Sequence, residues 1–426
     1  MKRSLILIPA MLGVALLSGR STVAPLSALF PGVTPALAAE SESGGETVRP
    51  EVGKLLQAAQ HLIEDHKYDK ALATLHAIDD ISGRTAYENS VVERMRLTAA
   101  LGAESPAVAA KAYQAAVSFG SFPAADRLRF IQAIAVSYYR AKDYASAALW
   151  GRTYAAAGGG DPEMRTLLAQ AYYLGHDFTA AANTLTDQIA AEERGGREVP
   201  EAQLQLLASS VENLKDPARH IAVLEKLVFH YPKPDYWTRL IHEVTTGAGF
   251  TGHLDLEVAR LRLATGALEG ADRYMEMAEQ ALQAGFPGEA KTAMDSGYGA
   301  GMLGNGPEAS RHQRLRDLVD KTAAQDLKAL PAAIEEAERA ETGTGLVNSG
   351  FDYVGYGQAD KGLVAIEQGL ARGGLKRPEE ARLHLGIAYL AAGAKAKAIA
   401  TFKTIRLADG TAALARLWTI KAGGMP

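Results

Sequence analysis

Residues 134–144 read IAVSYYRAKDY, and 34 residues later 168–178 read LAQAYYLGHDF. In that alignment Ala135 falls on Ala169, Tyr138 on Tyr172 and Tyr144 on Phe178; just beyond, Ala147 falls on Ala181. A small residue, an aromatic three later, another aromatic six further on and then an alanine describe an αα-hairpin. The small residues let two helices approach closely, and the rings fill the space beside them. The turn belongs near Lys142-Asp143. Asp161-Pro162 opens the next unit, because the first helical position tolerates proline's missing N–H.

Looser copies flank this pair. Ala59, Leu62, Tyr68, Ala71 and Leu75 form one near the start. Leu207-Ala208, Val211, Leu224, Leu227 and a closing Pro232 form another, with His220 where a small residue belongs. Met277-Ala278, Ala281, Gly285, Ala290 and Met294 follow the same order. So do Gly350, Tyr353, Gly357 and Ile366, and 36 residues later Leu385-Gly386, Tyr389, Gly393, Ala398 and Phe402. A unit of this length, repeated, marks a solenoid whose hairpins bury their apolar faces against their neighbours. The pattern resembles the tetratricopeptide (TPR) repeat, which implies an all-α, TPR-type α-solenoid of stacked helical hairpins wound as a right-handed superhelix. About 80 alanines suit close helix packing, and no strand-type alternation competes. The interruptions at Pro232-Lys233-Pro234 and in 297–307 suggest N-terminal repeats over 51–232, middle helical repeats over 233–340 and C-terminal repeats over 341–426.

The N-terminus reads differently. Met1-Lys2-Arg3 precedes an apolar run from Leu5 to Leu17, and Ala36-Leu37-Ala38 is an A-x-A cleavage pattern. Residues 1–38 are therefore expected to be a signal peptide cut near Ala38, followed by a flexible leader over 39–50. A retained anchor is the alternative, although the run is short of the roughly 20 apolar residues of a span. Arg20 stands where a lipidation cysteine would follow Leu17-Ser18-Gly19, so no lipoprotein is expected. The implied location is a periplasm.

Composition and motifs exclude more than they name. The net charge of -4 argues against a nucleic-acid binder. The absence of cysteine removes disulfides, thiolate metal sites and cysteine nucleophiles. The ten histidines include no H-E-x-x-H pair; His242-Glu243 comes nearest but has Thr246 four positions after His242. No phosphate loop or G-x-S-x-G elbow occurs. Glu192-Glu193, Glu335-Glu336 and Glu379-Glu380 are adjacent pairs whose members point about 100° apart on a helix, so they do not converge on one atom. Arg311, His312, Arg314 and Arg316 lie beside Asp317 and Asp320 and read as a surface charge network. No catalytic residue, cofactor or metal is expected.

Several segments carry a narrower resemblance. They are YPKPDYW at 231–237, RLATG at 262–266, ALQAGFPGEA at 281–290, GGLKRP at 373–378 and LGIAY at 385–389. Together they look like exported bacterial TPR proteins described as components of a TonB system. That resemblance implies an envelope accessory that binds another protein or a peptide segment. On the first helices of the best two units, Arg129, Gln132, Val136, Tyr139, Arg140, Thr166, Gln170 and Tyr173 fall off the buried stripe and are the candidate groove residues. Tyr and Arg are also the types enriched at binding hot spots. The alternatives are a cell-wall-associated enzyme subunit and a small-ligand-binding helical protein.

Overall fold

The computed structural model describes residues 47–119, 124–247 and 249–425. The expected signal peptide, and the leader up to residue 46, lie outside the described residues. Among those described, the chain is all α-helix with no strand, and no helix is long and apolar enough to cross a membrane. It divides into two compact units, one ending at Ala181 and the other beginning at Ala182.

The first unit comprises α1 (Pro50–Glu64), α2 (Tyr68–Ala77), α3 (Ala86–Gly102), α4 (Pro106–Ser118), α5 (Ala124–Arg140), α6 (Tyr144–Ala156) and α7 (Pro162–Leu174). The division between the units falls within α8 (Phe178–Arg194). The second unit continues with α9 (Glu201–Asn213), α10 (Pro217–His230), α11 (Pro234–Thr245), α12 (Asp255–Thr265), α13 (Ala271–Ala284) and α14 (Pro287–Gly299). Then come α15 (Ala309–Arg339), α16 (Thr344–Gly355), α17 (Ala359–Arg372), α18 (Pro378–Ala391), α19 (Lys395–Phe402) and α20 (Thr411–Lys421). Proline occupies the first turn of α1, α4, α7, α10, α11, α14 and α18. Asp143, Asp161 and Asp216 cap α6, α7 and α10 by accepting backbone N–H bonds, which satisfies donors a helix start leaves open.

One turn recurs through both units. His66, Glu104, Lys142, His176 and Lys215 have φ between 52° and 61°, and Gly285, Gly357 and Gly393 take the same place with φ of 74° to 81°. The next N–H then reaches back to the preceding helix: Asp143 to the Tyr138 carbonyl at 3.0 Å, Asp177 to Tyr172 at 2.9 Å, Gln358 to Tyr353 at 2.9 Å and Ala394 to Tyr389 at 2.8 Å. This is a Schellman-type stop built on the carbonyl of the core aromatic. The 34-residue step separates Lys142 from His176, while the other turns of the first half stand 38 or 39 residues apart, which is why their copies align loosely. Ala135, Ala147, Ala169 and Ala181 are all fully buried, the close-approach role their spacing implied.

Two features depart from a plain array of hairpins. Where the repeat leads one to expect two helices, α15 runs unbroken for 31 residues. Gly297 and Gly299, expected in a loop, belong to α14; Gly297 packs where a Cβ would lie 2.6 Å from Leu303, so the helix persists until the contact is made. The second unit also closes on itself, since α20 packs against both α10 and α12. There Arg416 pairs with the buried Glu225, the Thr251 N–H and hydroxyl both donate to the Asp409 carbonyl at 3.1 and 3.0 Å, and His253 stands 3.1 Å from Glu380 and 3.4 Å from Asp409.

The tightest helix contact is α16 on α17, and glycine makes it possible. A Cβ on Gly362 would lie 2.4 Å from the Gly350 carbonyl oxygen, and one on Gly369 2.6 Å from that of Gly343. Gly299, by contrast, has open space around it. Gly362→Ala is therefore expected to cost about 2 kcal/mol or more through overpacking. Gly299→Ala should be neutral or stabilising by up to about 1 kcal/mol. Urea unfolding of the two variants checks the contrast.

Candidate functional site

The first helices of successive hairpins in the first unit, α1, α3, α5 and α7, are neighbours and share one face. Side chains cross-link it. Gln132 of α5 donates to Asp161, the cap of α7, at 3.2 Å, and the Tyr139 hydroxyl donates to Gln170 of α7 at 3.0 Å. Tyr139 also meets Tyr144 edge to face at 5.6 Å, and burial followed by that neighbour pushes its hydroxyl pKa upward. Tyr173 meets Phe178 in the same way at 5.4 Å.

The structure thus brings Tyr139 and Gln170 together, while Gln132 meets Asp161. Val136 lies between the first two in sequence and packs half-buried on the core. Arg129 lies 3.8 Å from Asp126 one turn away, Thr166 bonds the Pro162 carbonyl at 3.1 Å, and Arg140 is exposed in the last turn of α5. Neither tyrosine projects freely: each ring is half-buried against the aromatic that opens the second helix.

Upstream, the face is anchored by Glu88 of α3. It is fully buried, completes a capping box with Thr85 and takes the Arg49 guanidinium at 3.0 to 3.2 Å. That guanidinium, against burial, holds the carboxylate down to about 2.

In the second unit the converging faces meet each other. Arg260 of α12 is buried between Glu257 of the same helix and Glu289 of α14, which takes its Nε at 2.8 Å and its Nη2 at 2.5 Å. Its guanidinium carbon sits 5.0 Å over Phe286 and 4.8 Å over Phe351 of α16. His384 of α18 stacks on Phe351 at 4.0 Å, with its Nε2 2.8 Å from Glu257 Oε1. The same Nε2 lies 3.1 Å from Arg260 Nη1, and Nδ1 has no hydrogen-bond partner among the described residues. Burial alone would push Glu257 up; Arg260 and His384 bring it down to about 2.

The charges around Arg260 were not singled out in the sequence, and one signal was available. In α12, DLEVARLRLAT, Glu257 and Arg260 share a stripe between two apolar faces, Leu256, Ala259 and Leu263 on one side and Val258 and Leu261 on the other, so covering both faces buries the charges between them and they must pair inside. The acidic pairs do diverge: Glu379 takes Arg382 while Glu380 takes Arg377 and His253. The basic run of α15 forms a surface network, with Arg316 at 3.4 Å from Asp295 and Arg311 at 3.9 Å from Glu308. His312 is not part of that network. It is buried and accepts the Gly304 N–H at 3.1 Å. Among the described residues no group of three histidine or acidic side chains could hold a metal ion.

No family model and no curated protein matches the chain. Among solved structures it is similar to the TPR2AB domain of yeast Sti1 in complex with pHSP90, at 14% identity over 69% of this chain and 98% of that one, with a TM-score of 0.23. It is also similar to yeast Tom70, at 10% identity over 87% and 95% with a TM-score of 0.24. The TPR domain of P58(IPK) gives 14% over 86% and 98% with a TM-score of 0.21. At TM-scores this low the overlaps carry no weight, and the fold stands on the chain's own stacked hairpins.

Arg260→Ala leaves Glu257 buried without its counter-ion and is expected to cost about 3–5 kcal/mol, with Arg260→Met plus Glu257→Gln recovering at least half. Denaturant titration of the two variants checks this. The Glu257 contribution is present above its ordinary value of 4.5 and is lost as pH falls toward 2, so Glu257→Gln should flatten the stability profile across that window.

Proposed function

We propose that this chain is a protein-docking scaffold whose working surface is the first-helix face of its first unit. The observation that carries the reading is the row Gln132, Tyr139 and Gln170, braced across successive first helices with Arg140 exposed beside it. A braced face binds with little loss of side-chain freedom, and its amide and hydroxyl groups can exchange their mutual bonds for those of a peptide backbone. The partner is a peptide segment, extended or helical, of another envelope protein. Arg129 and Arg140 pair with its carbonyl or carboxylate oxygens, while Tyr139 and Tyr173 supply aromatic edge.

The narrower reading follows the resemblance of residues 200–426 to exported TPR proteins. The chain is exported, cut near Ala38, and serves a TonB-type transport system from the periplasm. The face in the first unit needs no catalytic group to do this work.

A photo-crosslinking residue at Gln132 or Arg140 is expected to trap one defined envelope protein in cells, and the same residue at the exposed Arg152 of α6 should trap none of it. Arg140→Glu is expected to weaken that capture at least tenfold with an unchanged thermal melt. Equal capture from residue 152, or capture insensitive to Arg140→Glu, contradicts the assigned face.

A further inference from the structure

Asp352 follows Phe351 in α16, is 2% exposed, and its Oδ1 has no hydrogen-bond partner among the described residues. From α14 the Gly288 N–H and the Glu289 carboxylate both lie near it. From α15, Asp326 meets it side chain to side chain. The Tyr356 hydroxyl stands 2.9 Å from Asp326 Oδ2 and 3.1 Å from the Ala323 carbonyl, so it ties α16 to the same stretch of α15. On α12 and α18, Arg260 and His384, which pack on the neighbouring Phe351, are turned toward Glu257 and Glu289. No arginine or lysine among the described residues pairs with Asp352.

Two carboxyl groups in contact, one of them out of water, are compatible only when they share a proton. The hold of α15 on its neighbours is otherwise narrow. Over its second half only Ala323, Leu330 and Ala337 are buried, and Pro331 withholds the N–H that would bond the Leu327 carbonyl. The end of the helix is secured by Arg372, which donates to the Ala337 and Ala340 carbonyls at 2.8 and 3.0 Å.

We propose that the Asp326–Asp352 contact is an acid-set latch: a proton shared between the two carboxyls holds the second half of α15 against α16, and loss of that proton releases it. The latch lies wholly in the second unit and does not depend on the docking face.

The sign follows from linkage. Burial, and then Asp326, raise Asp352 to about 8 in the closed form, whereas an aspartate reaching water through an open α15 titrates near 3.8. The closed form therefore holds an extra proton between those values. Its population relative to the open form falls by up to tenfold per pH unit across that window and levels off above about 8.

Hydrogen exchange of the full chain between pH 5 and 9, corrected for the intrinsic rate, reads the opening directly. Protection over residues 323–339 is expected to fall at least tenfold between pH 5 and 8 and then level off, while Asp352→Asn shows no such slope. Flat protection in the unsubstituted chain, or the same slope in Asp352→Asn, overturns the latch. Should Asp352→Asn fail to fold, Asp326→Asn, at a half-exposed position, tests the same contact: the slope must shrink, and an unchanged slope refutes it.

Discussion

A guanidinium taken out of water is the constraint around which the second unit is arranged. Burying an ion costs several kcal/mol unless its charge and its donors are met inside. Arg260 meets that demand with Glu257 and Glu289 for its charge and Phe286 and Phe351 for its faces. These groups come from α12, α14 and α16, with Phe286 in the turn before α14, and His384 adds α18. An array of hairpins has no local reason to bring those helices to one point; the ion pairs supply it. The glycines then make the approach sterically possible, as at Gly288 and Gly355, where a Cβ on either would lie about 3 Å from the other's backbone.

Closure has a functional consequence. Helix faces that in an open array would line a groove are spent in the second unit on Arg260, on the Asp352 contact and on the return of α20. In the first unit α5 and α7 are joined by single hydrogen bonds, Gln132 to Asp161 and Tyr139 to Gln170, with no buried ion pair between them among the described residues. The same repeat thus yields one body organised around internal charge and another whose first helices are linked by polar side chains. The distinction rests on side-chain chemistry, since the hairpin turn is the same in both.

How much of this was legible depended on the range of the interaction. The hairpins were, because a turn and its two helices are set by residues close in sequence: Ala135, Tyr138, Tyr144 and Ala147 mark one whole unit. The turn was placed at Lys142-Asp143, but its left-handed backbone was not read, since Lys142 and His176 carry no chemical sign of a positive φ; only Gly285, Gly357 and Gly393 do. Of the candidate face, Tyr139 and Gln170 meet each other, while Gln132 meets Asp161. Asp161 had been read only as a helix start, although it also receives Gln132. The buried charges escaped because Glu257 and His384 stand 127 residues apart and neither belongs to a motif. The unbroken α15 escaped for the same reason: Ala337 and Arg372, 35 residues apart, secure its end.

Closure of the second unit is tested most directly at Arg416. Its side chain is 53% exposed, and in an open array its loss would be inconsequential. Here it faces Glu225, 191 residues earlier on α10 and 2% exposed, so Arg416→Ala strands a buried carboxylate. Hydrogen exchange on that variant should show lost protection in α10 as well as in α20, restored when Glu225→Gln is added. Protection in α10 that stays at its original level in Arg416→Ala would contradict the account.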